Sequence, residues 1–450
     1  MEFSIPVGVQ MILDRLEQAG WEAYLVGGCV RDSLLGKMPQ DWDMATSARP
    51  EQLLACFGDT VAIPTGLRHG TVTVRLGGSA CQVTSYRTEW GTADSRHPQQ
   101  VRFGCSLQED LKRRDFTINA MAYHPQRGLV DLFGGRQDLQ AGLIRCVGDP
   151  DLRFREDALR ILRALRFAST YGFSIQPQTA EALRRNRLLI QRVSAERIWE
   201  EFCRFLMGQG AAALLRRFSE VAAVFLPELA PCFGFDQRNP HHHLDVWGHT
   251  VEALADTPPD LVVRLAVLFH DIGKPDCFTV DAQGVGHCYG HGRRSGELAE
   301  GILRRLRCGQ KLADQVVQLV RRHDAPLDTR QQMLRMLGRL GEEQLRRLLL
   351  VKRADLRAHA PADIPLREEQ LRQSQALLEA LLAEQACFYR KDLAVDGRAL
   401  LGMGFPQGPQ VGRCLQRLLE EVVDGRLENH REPLLRRALQ ILEEPVKEAQ

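Results

Sequence analysis

The sequence predicts an α+β chain: a small mixed-sheet head followed by an all-helical remainder. Three observations carry this. Short β-type runs broken by glycine pairs fill the first 135 residues. From about residue 138 onward, apolar residues recur at three- and four-residue spacing, the period of helices with one buried face. The 450 residues are 44% hydrophobic and 26% charged, ordinary globular proportions with material for several cores.

Other classes are disfavoured. No apolar run approaches the roughly 20 residues of a membrane-spanning helix, and the N-terminus lacks the basic-then-apolar pattern of a secretion signal. The 12 cysteines are scattered, with no CxxC pair, which points to a reducing cytoplasm and away from zinc ribbons or disulfide frameworks. The net charge is only +2, so a nucleic acid would have to be held by local basic faces. Arg153–Arg166, Arg184–Arg192 and Arg304–Arg307 could supply them, or could be solvated helix faces.

In chain order, VGVQMILDRLEQAG reads as an amphipathic helix with Val9, Ile12, Leu13 and Leu16 on one face, ending at Gly20. EAYLVGG is a strand entering a glycine turn, after which CVRDSLLG starts a helix. GTVTVRLGG and ACQVTSY are two strands hinged at Gly77-Gly78, and INAMAYHPQRGLVDLFGG continues the pattern. Helices follow in EDALRILRALRFAST, AEALRRNRLLIQRV, AERIWEEFCRFL and AAALLRRFSEVAAVF. Eight of the 13 histidines then fall between His241 and His323. Beyond residue 330 the chain is Leu/Arg/Glu-rich helix interrupted by VDGRALLGMGFPQGPQVG. The expected divisions are 1–137, 138–230, 231–330 and 331–450.

The chemistry concentrates in LVGGCVRDSLLGKMPQDWDMATSARP. Glycines let backbone N–H groups approach a ligand, a helix start favours an anion, and Arg31 can add a guanidinium fork to a phosphate beside Gly28. Asp41 and Asp43 are two apart, so in a strand both carboxylates project from one face. Like charges that close repel unless a cation lies between them. Oxygen ligands with open positions suit Mg²⁺, which takes phosphate oxygens as further ligands. Together these features read as metal-dependent nucleotidyl transfer. An isolated pair would read equally well as a surface DxD loop.

GGCVRDSLLGKMPQDWDMAT resembles the signature of the polymerase β superfamily of nucleotidyltransferases, specifically the class II CCA-adding enzymes (tRNA nucleotidyltransferases) and the related bacterial poly(A) polymerases. The resemblance implies a polymerase β-like head, Asp41 and Asp43 on the catalytic Mg²⁺ ions, and Gly28 and Arg31 on the nucleotide phosphates. Where some members carry a third carboxylate before Val-Thr, this chain has Gln82. EDLKRRDFTINAMAY resembles the ribose-contacting motif, with Arg114, Asp115 and Asn119 supplying a cation, an acceptor and an amide. RTEWGTADSRHPQQVRF resembles the flexible loop used in switching from C to A, with Trp90 and Ala93 departing from the pattern.

Asp157 and Arg160 are three apart, so on a continuous helix they share a face. A carboxylate and a guanidinium side by side can accept from the exocyclic amine of C or A and donate to the neighbouring acceptor. They could equally form an ordinary helix ion pair. REDALRILRALRF resembles the family's EDxxR motif, which implies base reading by Asp157 and Arg160 in a helical neck, with Arg163 and Arg166 extending a basic ridge toward the triphosphate.

HHHLDVWGHTVEAL, RLAVLFHDIGKPDCF and LVRRHDAPL resemble the HD superfamily of metal-dependent phosphohydrolases. That resemblance implies a helical domain with His249, His270, Asp271 and Asp324 on a transition metal or Mg²⁺, and Lys274, His287, His291 and His323 near a phosphate. The tail segment, with Arg413 and Arg417 one turn apart, is similar to that of bacterial CCA-adding enzymes. The implied function is template-independent addition of C, C and A to tRNA from CTP and ATP, with the tRNA held at its 3′ end and elbow. The alternatives are a CC-only or A-only enzyme, a poly(A) polymerase, or an HD phosphohydrolase whose head binds nucleotide or RNA.

Overall fold

The computed structural model describes residues 3–58, 61–66, 70–92 and 98–444, with side chains described outside 89–101. It divides into two units, one of residues 1–230 with 305–308 and one of 231–304 with 309–450.

The first unit opens with α1 (Val7–Gln18), whose Val9, Ile12, Leu13 and Leu16 are buried as their spacing predicts. Its sheet is built from β1 (Ala23–Val26), β2 (Trp42–Thr46), β3 (Ala62–Gly66), β4 (Thr71–Leu76) and β5 (Ser79–Ser85). A separate ribbon of β6 (Arg87–Thr92) and β7 (Pro98–Phe103) follows, and β8 (Met121–His124) and β9 (Gly128–Asp131) return to the sheet. The seven-stranded order is β3-β4-β5-β2-β1-β8-β9. Within this sheet, among the described residues, only β2 and β5 pair in parallel; β1 pairs antiparallel with both β2 and β8. The β4–β5 hairpin turns through Gly77 and Gly78, both at positive φ, as a two-residue turn between twisted strands requires.

Helices α2 (Gly28–Leu34), α3 (Pro50–Phe57), α4 (Leu107–Lys112) and α5 (Gly135–Gln140) connect these strands. The sheet's core gathers Tyr24, Val26, Ala45, Tyr86, Leu111 and Ala122. The segment resembling a flexible loop forms the antiparallel β6–β7 ribbon; residues 93–97, which include Ala93, lie outside the described residues, as do the side chains of 89–101, which include Trp90.

One element departs from expectation. REDALRILRALRF is not a continuous helix: α6 (Pro150–Glu156) ends, and α7 (Leu159–Tyr171) begins after Asp157 and Ala158. Asp157 is extended, at φ −144° and ψ 105°, and its carboxylate accepts the Leu159 N–H at 3.1 Å. A short acidic side chain that captures a backbone donor favours starting a helix over continuing one. The unit continues through α8 (Pro177–Asn186), α9 (Ala195–Leu206), α10 (Ala211–Arg217) and α11 (Ser219–Phe225).

The second unit is helical. Its first part comprises α12 (Val246–Ala255), α13 (Leu261–Phe269), α14 (His291–Arg305), α15 (Gln310–Val320), α16 (Arg330–Leu340) and α17 (Glu342–Arg357). α13, LVVRLAVLF, is apolar nearly all round and lies in the core, packed on α12, α15 and α17. Among the described residues, no helix is long and apolar enough to cross a membrane.

Candidate active site and a histidine-rich cluster

Trp42 and Met44 point into the core, so Asp43 faces the other side of β2, with Asp41 just before the strand and exposed. Burial pushes the Asp43 carboxyl up from the ordinary carboxylate range, Arg114 opposes that shift, and the nearby Asp41 adds to it. Two acids that feel one another across a half-buried strand end are a fitting pair of oxygen ligands for a divalent cation. Gln82 stands in register beside Asp43 on β5, so the neighbouring strand adds an amide there and no third charge.

Gly27 and Gly28 lead from β1 into α2. Gly27 sits at φ 75° and ψ −127°, and a Cβ built there would lie 3.0 Å from the Arg114 guanidinium. The turn therefore brings Arg114 against the backbone ahead of α2, on the side where it also acts on Asp43. Arg114 is held from behind by Asp110, which is fully buried and also takes Arg113. Gly27→Ala would meet both a backbone conformation that L-residues rarely adopt and this contact. We expect a cost of roughly 1–3 kcal/mol, read as a lowered thermal midpoint.

A polar chain ties the head to α7. Arg31 donates to the Asn119 side-chain oxygen at 2.6 Å and to Asp32 at 2.9 Å. Asn119, on a short 3₁₀ turn, donates to Asp115 at 3.1 Å. Arg163 grips the other Asp115 oxygen with two nitrogens, at 2.9 and 2.7 Å. Glu201 of α9 completes the chain by pairing with Arg163 and Arg166. Phe167 lies under three guanidinium groups, with Arg31, Arg163 and Arg166 at 5.1, 5.2 and 3.9 Å from its ring centre. Burial would raise the Asp115 carboxyl, but Arg163 and the Asn119 bond outweigh it and hold it well below the usual range.

Arg31, Asp115, Asn119, Arg163 and Arg166 are thus joined as one network, with Gly28 at its edge. Asp157 and Arg160 are not paired with each other. Asp157 takes Arg197 at 2.9 Å, whereas Arg160 reaches Glu156 at 2.7 Å and the Arg113 carbonyl at 2.8 Å. The helix break between α6 and α7 separates the two side chains that a continuous helix would align. Glu201, Asp110 and Arg197 were not singled out by the sequence reading. The i,i+3 and i,i+4 spacing of Asp110 to Arg113 and Arg114 was the available signal for one of them.

In the second unit, His249 of α12, His270 and Asp271 after α13, and Asp355 of α17 form one group of ligand atoms, and Asp271, His291 and His323 form another. Asp324, expected beside His249, His270 and Asp271, is in neither group: it is exposed on the turn after α15 and lines the neighbouring cavity, whereas Asp355 stands 2.8 Å from His249 and 3.4 Å from His270. His323-Asp324 repeats the HD dipeptide and draws the eye, whereas Asp355 is the single aspartate in a Leu/Arg-rich helix. Burial disfavours charge on His270, but Asp271 and Asp355 outweigh it and push the imidazole up to about 10. Lys274 is buried between Asp271 and Gln237, at 2.7 and 2.8 Å, and His287 pairs with Asp281. In the tail, Arg417 pairs with Glu421 and Glu444.

A glycine turn, an acid pair and a cationic network on a small mixed sheet define a nucleotidyltransferase. Family profiles agree: a poly A polymerase head domain matches residues 23–145, a probable RNA and SrmB-binding site of polymerase A matches 172–233, and a tRNA nucleotidyltransferase domain 2 matches 293–438. The CCA-adding enzyme of Lactobacillus delbrueckii subsp. bulgaricus is 35% identical over 420 residues, covering 93% of each chain. That of Limosilactobacillus reuteri is 35% identical over 436 residues, covering 96% of each. The crystal structure of the Bacillus stearothermophilus CCA-adding enzyme in complex with CTP superposes with a TM-score of 0.68 at 31% identity, covering 96% of both chains. This chain belongs to the CCA-adding enzyme family.

Proposed function

We propose that this chain adds C, C and A to the 3′ end of tRNA, consuming CTP and ATP and releasing pyrophosphate, with no nucleic-acid template. The observation that carries the reading is the acid pair Asp41 and Asp43 facing Arg114 beside the Gly27-Gly28 turn. It is supported by the full-length similarity to CCA-adding enzymes, one of which binds CTP in its crystal structure.

In this reading the tRNA 3′-hydroxyl oxygen attacks the α-phosphorus and the bond to pyrophosphate breaks. Mg²⁺ held by Asp41 and Asp43 would supply Lewis-acid activation and charge neutralisation there. Arg114 and the glycine turn hold the triphosphate. Arg31 is kept in place by Asn119 and stacked over Phe167 and Tyr171, and Arg163 and Arg166 raise the positive potential along α7. Asn119 and Asp115 face the ribose. A tRNA substrate fits a cytoplasmic location.

Purified protein incubated with tRNA lacking its 3′ end, with labelled CTP and ATP separately and together, tests this. Three added residues in the order C, C, A are expected. Long A tails, C-only or A-only products, or phosphate release alone would assign the chain to one of the alternatives.

Base choice is assigned to Asp157 and Arg160, which would exchange Arg197 and Glu156 for the edge of the incoming base. A bidentate base contact is worth about 1–3 kcal/mol of discrimination. Arg160→Ala is therefore expected to cut the CTP-over-UTP preference by roughly 10- to 100-fold, measured as the ratio of kcat/KM values. An unchanged ratio would remove Arg160 from base selection.

The histidine cluster supports a second site in the same chain. His249, His270, Asp271 and Asp355 fit a transition metal with mixed nitrogen and oxygen ligands. Asp271 and Asp355 open on a cavity of about 600 Å³ that Lys274, Lys352 and Arg367 help to line, which suits a phosphate ester and a phosphohydrolase activity.

A further inference from the structure

Helix α7 ends on an aromatic pair turned toward the head. Phe167 and Tyr171 are one turn apart and share a face, and their rings stack at 18° with centres 6.2 Å apart. Gly172 stops the helix in the left-handed region, at φ 69°, and the Phe173 N–H returns to the Ala168 carbonyl at 3.0 Å. That stop makes Tyr171 the last helical residue and packs Phe173 against it, with ring centres 5.5 Å apart. The Arg31 guanidinium, buried at 7% exposure, lies across the pair, 5.1 Å from the Phe167 centre and 4.9 Å from the Tyr171 centre. Ring faces carry partial negative charge, so both attract the cation.

Tyr171 also reaches the carboxylate that grips Arg31. Its hydroxyl donates to Asp32 Oδ1 at 3.0 Å, across 139 residues of chain. The same oxygen takes the Arg31 Nε–H at 2.9 Å, and Oδ2 takes an Nη2–H at 3.1 Å. Consecutive residues of a helix do not face one another, so the Asp32 fork needs an outside anchor, and Tyr171 is one. Burial pushes the Tyr171 hydroxyl up to about 12, opposed by Arg31 and aided by Asp32. It therefore stays protonated near neutral pH and donates. With Asn119 taking one Nη1–H, three of the five guanidinium donors are fixed, and one remains on each terminal nitrogen. Nη2 stands 3.5 Å from where a Cβ on Gly28 would lie, so the fork sets a terminal nitrogen against the glycine turn.

We infer that Tyr171 and Asp32 are positioning residues for Arg31, which fix its guanidinium so that the remaining N–H groups meet a phosphate of the incoming nucleotide. The role rests on the reading of Gly28 and Arg31 as phosphate contacts. Asn119 holds Arg31 from the head, whereas Tyr171 holds it from the end of α7, by bonds separate from those of Asp115 and Arg163. A cation already fixed loses less freedom when the anion arrives, and affinity gains accordingly. CTP, ATP and UTP carry the same triphosphate, so an effect passed through Arg31 acts on all of them alike and leaves base choice and the acid pair untouched.

The test uses Tyr171→Phe in the full chain, which keeps the ring beneath Arg31 and removes the bond to Asp32. Binding of CTP, ATP and inorganic triphosphate in Mg²⁺ is measured by calorimetry, with addition kinetics on tRNA alongside. All three dissociation constants, and the KM values for CTP and ATP, are expected to rise by one common factor of about 3 to 10, the size of one lost hydrogen bond. The kcat at saturating nucleotide and the CTP-over-UTP ratio should hold. In an Arg31→Ala background the same substitution should weaken binding no further. Unchanged dissociation constants overturn the inference, as does a weakening of CTP that inorganic triphosphate does not share. An equal loss in the Arg31→Ala background also overturns it, because Tyr171 would then only brace the neck. A parent that binds nucleotides yet adds none to tRNA fails the CCA-adding reading, and the dissociation constants still decide the role of Tyr171. A parent that binds neither nucleotide nor triphosphate overturns both.

Discussion

Asp43→Ala is expected to lower nucleotide incorporation by about 10³-fold or more, because a bound metal supplies several kcal/mol of transition-state stabilisation and each 1.36 kcal/mol is tenfold in rate. The same substitution should leave the fold no less stable. Burial raises the folded-state pKa of Asp43, and Asp41 adds to the rise. The folded chain therefore holds this proton more tightly than the unfolded chain, and at neutral pH the ionised carboxylate works against folding. Removing it takes away function without a structural support, so the thermal midpoint should stay level or rise while incorporation collapses. tRNA binding, read by gel shift, should persist. In the parent protein the proton competes with the metal at Asp43. The acid limb of the pH–rate profile should then lie above the ordinary aspartate range and shift to lower pH as Mg²⁺ is increased. Incorporation retained in Asp43→Ala, or a limb insensitive to Mg²⁺, would remove Asp43 from the metal site.

Much of this was legible in the sequence because it was written locally. The strand, glycine turn and helix at Val26–Gly28, the two-residue acid spacing at Asp41 and Asp43, and the hairpin at Gly77-Gly78 each depend on neighbours within a few residues. What was not legible depends on partners far along the chain. Asp157 looked like part of a continuous helix because the apolar period runs through it; its capture of the Leu159 N–H and its pairing with Arg197, 40 residues on, break that helix. Asp355 joins a cluster whose other members lie between residues 249 and 323, and nothing in its own helix marks it apart from its being the lone aspartate. The histidine concentration announced a site, but only the packing of α12, α13 and α17 decides which acid completes it.

The largest stability effect is expected at Arg163. Asp115 is only 8% exposed, and Arg163 gives it two of its four hydrogen bonds; Asn119 and the Phe116 N–H give the others. Arg163→Ala leaves a buried carboxylate without its cation, a change that typically costs about 3–5 kcal/mol. At roughly 2–4 °C per kcal/mol for a unit of this size, the midpoint should fall by about 10 °C. Arg163→Lys should recover part of the loss only, because an ammonium cannot reproduce the fork. The pH dependence follows from the sign of the shift. Asp115 is held below its unfolded value, so its contribution is present above the unfolded pKa and fades as pH falls toward the folded one. Without Arg163 that depression shrinks, and the variant should show less further loss on acidification than the parent. Function should follow structure through the same bonds. Asp115 orients Asn119, and Asn119 holds Arg31, so Arg163→Ala should also raise the KM for CTP. If Arg31 is positioned through this chain, the KM effects of Arg163→Ala and Asn119→Ala will be less than additive. Additive effects would show that Arg163 braces the neck without positioning the nucleotide's phosphate contact.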